Sequence, residues 1–173
     1  MILGMDGQRE RFEEVYRRHV GAVAAYVLRR APREIAEDVV AETFLVAWRR
    51  LDRMPEEPLP WLYGVARRTL ANHRRSAARR ESLAQRLEIE APAGSVGPVD
   101  ERLLDALRAL RRRDREVLML LAWEGLTPAE AAQVLGCSPV AYRIRLHRAR
   151  KRLALALEAT TFSSGELTIT EAK

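Results

Sequence analysis

Apolar residues recur along this chain every three to four positions, almost from end to end. Stretches rich in Val and Ile that alternate with polar residues are absent, and Ala, Leu, Arg and Glu dominate. That period belongs to amphipathic helices rather than strands. It predicts helices near residues 9–30, 33–50, 58–79, 100–110, 113–124, 127–135 and 139–158. The fold class expected is therefore all-α. In the second helix Ile35, Val39, Val40, Phe44, Ala47 and Trp48 form a broad inward stripe. Residues 81–100 break the rhythm. Their second half collects Pro92, Gly94, Ser95, Gly97 and Pro98, a composition that reads as a flexible linker. Two small helical domains follow from this division, 8–80 and 101–158, with a polar, frayed tail over 159–173.

The sharpest local signals lie between Leu126 and Leu153, LTPAEAAQVLGCSPVAYRIRLHRARKRL. Thr127 can cap a helix, Pro128 suits its first position, and Glu130 stands three residues after the cap. In such a capping box, side chains satisfy backbone donors that the first turn leaves without partners. Leu126, Ala131, Val134 and Leu135 supply an apolar stripe. Gly136 ends the helix, because glycine enters the left-handed region without steric cost. Ser138 and Pro139 then repeat the cap-and-proline signal. Two helices joined by a tight turn make a helix-turn-helix, which lays its second helix in the DNA major groove. Along that second helix Tyr142, Leu146, Ala149 and Leu153 should face inward. Arg143, His147 and Arg150 share another face, with Ile144, Arg148 and Lys151 beside them. From Arg143 to Arg152 there are five Arg, one Lys and no acid. A charge run is most often a solvated surface; the capped turn in front of this one is what points to DNA.

The 173 residues carry a net charge of +6, which suits a polyanionic partner. Lys151 and Lys173 are the only lysines among 30 basic residues. Arginine forks onto phosphate and guanine better than lysine does, although a GC-rich genome gives the same bias. The single cysteine, Cys137, allows no disulfide within the chain and fits a reducing compartment. His19, His73 and His147 lack metal-ligand spacing, so neither metal nor cofactor is expected. No segment approaches the roughly 20 apolar residues that span a bilayer. The start, MILGMDGQRE, has no secretory pattern, and a cytoplasmic location is expected.

The N-terminal domain carries two opposed surfaces. Its second helix starts acidic, with Glu34, Glu37, Asp38 and Glu42. Acids early in a helix complement its dipole, which is the plain explanation. Yet Asp38, Ala41, Glu42 and Leu45 lie on a strip that mixes acid with an outward leucine, a plausible protein-docking face on a basic chain. The next helix is entered through MPEEPLP, a loop stiffened by Pro55, Pro58 and Pro60. Beyond Trp61 and Tyr63 come Arg67, Arg68, Arg74, Arg75, Arg79 and Arg80, with Asn72 and His73 among them and no acid. Arginines attract phosphate, while aromatics and amides stack on or bond to unpaired bases. Two readings stay open here: a surface for separated strands, or core aromatics with solubilising arginines.

Four stretches, AEDVVAETFLVAW, PWLYGVARRTLANHRR, RDREVLMLLAWEGLT and AEAAQVLGCS…RIRLHRARKRL, resemble in order and spacing the extracytoplasmic-function (ECF) sigma factors of the bacterial sigma-70 family. The resemblance covers about residues 10–80 and 101–156. It implies a region 2-like domain over 8–80 and a region 4-like domain over 101–158. The implied partners are core RNA polymerase (the clamp helices of its largest subunit and its flap), promoter DNA and an inhibitory anti-sigma protein. The free protein would be a monomer, nucleoid-associated when on polymerase. Asp38, Ala41, Glu42 and Leu45 would meet polymerase; the family usually has Gln where Ala41 stands. Trp61, Arg67, Arg68, Asn72 and Arg75 would recognise and help open the minus-ten element. Primary sigma factors have two adjacent aromatics where this chain has Trp61. MPEEPLP departs from the FRGES-like loop that forms a flipped-base pocket in relatives. Arg143, Ile144, His147 and Arg148 would read the minus-thirty-five element, with Arg145, Arg150 and Lys151 on phosphates. Relatives often have Val at Tyr142 and Ser at Ile144. Ile144 therefore offers apolar contact with a thymine methyl in place of a hydroxyl.

A helix-turn-helix regulator outside polymerase would share the C-terminal pattern. It would not need the segment from Trp61 to Arg80, and it would dimerise on two half-sites. An enzyme is a weaker rival. The chain has no Gly-rich phosphate loop and no nucleophile with a partnered His.

Overall fold

The computed structural model describes residues 3–81 and 101–166. Among these residues the regular elements are all helical. They are α1 (Leu3–Leu28), α2 (Arg33–Arg49), α3 (Pro58–Glu81), α4 (Glu101–Ala109), α5 (Arg112–Ala122), α6 (Pro128–Leu135) and α7 (Pro139–Glu166), with a 3-10 turn at Leu51–Arg53. The chain divides into two compact units, one N-terminal and one C-terminal.

The boundaries depart from the periodicity at the ends. α1 begins at Leu3 rather than near residue 9. Its described first turns are exposed, so they carry no apolar rhythm. They hold through an Arg9–Glu13 pair at 2.9 Å and a bond from Gln8 Nε2 to Asp52 Oδ1 at 3.2 Å. α3 begins at Pro58, as the periodicity predicts, so Pro58 and Pro60 of the proline-rich entry lie in its first turn. Proline fits a first helical turn, where its missing N–H has no partner to lose. Glu81, read as the first linker residue, is the last residue of α3; the rest of the expected linker, 82–100, lies outside the described residues. α7 runs to Glu166, so the expected frayed tail is helical in its first half. From Ala159 to Ser164 no glycine or proline interrupts it. The last seven residues of that tail lie outside the described ones.

In the N-terminal unit α1, α2 and α3 pack pairwise. Val23, Tyr26, Val27, Val39, Phe44, Ala47, Leu62, Ala66 and Leu70 are buried between them. Tyr63, a stacking candidate from the sequence, is core instead: its ring stacks on Tyr26 with centroids 4.8 Å apart. The Arg30 guanidinium lies 3.7 Å from the Tyr26 ring centroid and donates to the Tyr26 carbonyl at 2.9 Å. Arg74 in turn donates to the Arg30 carbonyl, which ties α3 to the end of α1. Arg74 therefore leaves the cationic face on which the sequence placed it.

In the C-terminal unit α7 packs on α4 and α5. Tyr142 is fully buried, and its hydroxyl donates to the Val117 carbonyl at 2.9 Å. Burial pushes its phenol above the ordinary value. Arg115 caps the end of α4, donating to the carbonyls of Arg108 and Leu110 at 2.9 and 3.2 Å. Its own burial lowers its pKa.

Candidate nucleic-acid interface

The turn between α6 and α7 is built as its residues dictate. The Thr127 hydroxyl accepts from Glu130 N–H at 3.3 Å, and Glu130 Oε2 accepts from Thr127 N–H at 2.7 Å and from the Thr127 hydroxyl at 2.6 Å. Those bonds hold the Glu130 carboxyl below its ordinary value. Gly136 has φ +65°, the left-handed conformation that lets the chain leave α6. Ser138 Oγ accepts from Ala141 N–H at 3.2 Å and caps α7.

Tyr142, Leu146 and Ala149 form the buried side of α7, with Leu153 half-buried. Arg143, Ile144, Arg145, His147, Arg148, Arg150 and Lys151 are all exposed. Arg152 is the exception in the cationic run. Its Nη1 donates to both Asp114 oxygens, at 2.8 and 2.7 Å, and so fastens α7 to α5. Among the described residues the other cations of the run make no ion pair with a carboxylate. A capped helix, pinned by one arginine and one buried tyrosine, thus holds five unpaired cations (Arg143, Arg145, Arg148, Arg150 and Lys151) toward solvent. Sequence patterning missed the inward role of Arg152. Asp114 lies far from it in the chain, so no local rule connects the two.

On α3, Trp61, Arg68, Asn72 and Arg75 follow helical spacing on one stripe. Arg68, Asn72 and Arg75 are exposed, Trp61 is half-buried, and Arg75 donates to Asn72 Oδ1. Arg67 is half-buried and sits about a quarter-turn off that stripe. The side chains of Arg79 and Arg80 lie outside the described ones. On α2, Asp38, Ala41, Glu42 and Leu45 are all exposed on one strip, Leu45 at 48%. Glu42 also accepts from His73 Nε2 of α3 at 2.9 Å. Trp48, placed inward by the periodicity, is 41% exposed. It stands at the edge of the stripe, its ring edge-on to Phe12 of α1 with centroids 5.2 Å apart. The outer edge of its indole continues the strip beyond Leu45, three residues on.

Two helical units with these faces have counterparts among known proteins. Residues 15–80 match the family Sigma-70 region 2, and residues 100–153 match Sigma-70, region 4. The RNA polymerase sigma factor CarQ of Myxococcus xanthus is 32% identical over 159 residues, covering 86% of this chain and 90% of CarQ. The ECF RNA polymerase sigma factor SigL of Mycobacterium tuberculosis is 32% identical over 154 residues, covering 83% and 87%. This chain belongs to the ECF group of the sigma-70 family. Among solved structures, the sigma factor RpoE of Bartonella quintana, in complex with the anti-sigma factor NepR, superposes with a TM-score of 0.70. Its identity to this sigma factor is 25%, and the match covers 85% of this chain and 96% of RpoE. Among the described residues of this sigma factor no helix is long and apolar enough to cross a membrane.

Proposed function

We propose that this sigma factor docks on the clamp helices of core polymerase through Asp38, Ala41, Glu42 and Leu45, with the flap engaging the C-terminal domain. It then directs polymerase to promoters bearing two separated elements. Arg143, Ile144, His147 and Arg148 read the upstream element, while Arg145, Arg150 and Lys151 hold phosphates. Trp61, Arg67, Arg68, Asn72 and Arg75 engage the element nearer the start and stabilise its opened strand. The observation that carries this reading is the exposed cationic side of α7, set opposite its buried stripe in a chain with both sigma-70 regions in order.

The work is binding rather than bond-making. Opening DNA costs a few kcal/mol per unstacked step. Stacking on aromatics, worth about 1–3 kcal/mol per base, offsets it. An anti-sigma protein is the proposed regulator, since RpoE was solved with one bound. The protein acts in the cytoplasm, where polymerase and promoter are. Run-off transcription tests the whole: on genomic DNA fragments, purified core polymerase should start at a specific set of promoters only when the protein is added. A regulator outside polymerase would not start transcription under those conditions.

A further inference from the structure

The exposed side of α7 is not uniformly cationic. Val140 is 63% exposed and Ile144 48% exposed, the former in the first turn of the helix. They are four residues apart, so they stand one above the other on one face. Helical geometry places Val140 on the side opposite the buried Tyr142 and Ala149. Arg143 and Arg148 flank the pair, and His147 lies beside it. Scattered exposed aliphatics are ordinary on a protein surface. Two of them aligned in the middle of a face that otherwise holds five unpaired cations (Arg143, Arg145, Arg148, Arg150 and Lys151) need an occupant that is polyanionic yet carries apolar points. Duplex DNA is such an occupant, and in its major groove the apolar point is the thymine 5-methyl group. The first turns of a recognition helix are the part that reaches base edges.

We propose that Val140 and Ile144 together read two thymine methyl groups in the upstream promoter element, with Val140 a specificity-determining residue in its own right. Four residues of helix advance about 6 Å. That is close to two base-pair steps of about 3.4 Å each, so the two thymines lie one or two steps apart. Arg143 and Arg148 then take guanine or phosphate on either side. The inference rests on the reading of α7 as the promoter reader.

Deoxyuridine lacks only the methyl of thymine, which makes it the probe. The reconstituted holoenzyme is given a promoter duplex enriched by it from a random pool, and each upstream-element thymine is replaced singly by deoxyuridine. Two replacements should each weaken binding about fourfold, the worth of one buried methyl. Val140→Ala should abolish the penalty at one of these positions and Ile144→Ala at the other. Both positions are exposed and alanine favours helix, so the variants keep the fold. Indifference to deoxyuridine throughout, while scrambling the element still costs binding, would overturn this proposal alone. Penalties that persist in Val140→Ala would overturn the role of Val140. Indifference to scrambling would overturn the reading of α7 and this proposal with it.

Discussion

Two side chains at the helix-turn-helix separate a structural role from the proposed reading role. Glu130 works within the protein. Its carboxylate accepts from both the N–H and the hydroxyl of Thr127, so its pKa in the folded chain is below the ordinary value near 4.5. A depressed carboxylate contributes its full stabilisation above the unfolded value and loses it as pH falls through the folded one. Glu130→Gln keeps the geometry without the titration. The stability gap between wild type and Glu130→Gln, from urea melts, should therefore be full at about pH 7 and shrink as the pH falls below the ordinary carboxyl value. A gap independent of pH would mean the box does not depend on charge. Arg148 works outward instead, exposed and without an acid partner among the described residues. Arg148→Ala should cost about 1–3 kcal/mol in open-complex formation on an intact upstream element. The same loss on a scrambled element would show that Arg148 touches only phosphate.

At the scale of helices, the cross-links that set each face could not be read locally. Every expected helix is present, because the 3.6-residue period, the prolines at 58, 128 and 139 and the glycine at 136 are local signals. What escaped were side chains whose partners lie far along the chain. Arg152 reads as one more outward cation, but Asp114 lies beside it; Trp48 reads as inward, but it stands at the rim of the stripe beside Phe12 and is exposed. Arg74 likewise turns to the end of α1. The Arg152 link is testable: Asp114 is 9% exposed, so Arg152→Ala strands a nearly buried carboxylate. We expect a loss of about 1–2 kcal/mol, reduced from a buried pair because Arg152 is half exposed. Adding Asp114→Ala should recover part of it. A double variant weaker than Arg152→Ala would contradict that account. The Glu42–His73 bond joins α2 to α3 in the same way and complicates any test of docking. Asp38→Ala with Glu42→Ala should weaken polymerase binding at least tenfold, about 1.4 kcal/mol. His73→Ala breaks the link but leaves Glu42 in place, so it should bind polymerase like wild type. Equal losses in both variants would assign the effect to helix positioning rather than contact.

For the molecule as a whole, two modest DNA surfaces in one chain reach useful affinity only when a third body fixes both. Polymerase is that body in the proposed function, so the free protein should hold promoter DNA weakly and mostly through charge. The α7 face lets this be put as a number. With Arg145, Arg150 and Lys151 on phosphates, about three counterions leave the duplex, and log affinity should fall with log salt at a slope of about −3. Lys151→Ala should flatten that slope by about 1 and weaken all sequences alike, whereas Arg148→Ala should leave the slope nearer to wild type and relax sequence preference. Fluorescence anisotropy of the free chain on a promoter duplex, across a salt series, measures both quantities. At about 150 mM salt the free chain should hold promoter and scrambled duplex alike, and adding core polymerase should raise affinity and restore sequence preference. If the free chain already selected its promoter under those conditions, polymerase would not be the scaffold, because α7 alone would supply the discrimination assigned here to two tethered surfaces.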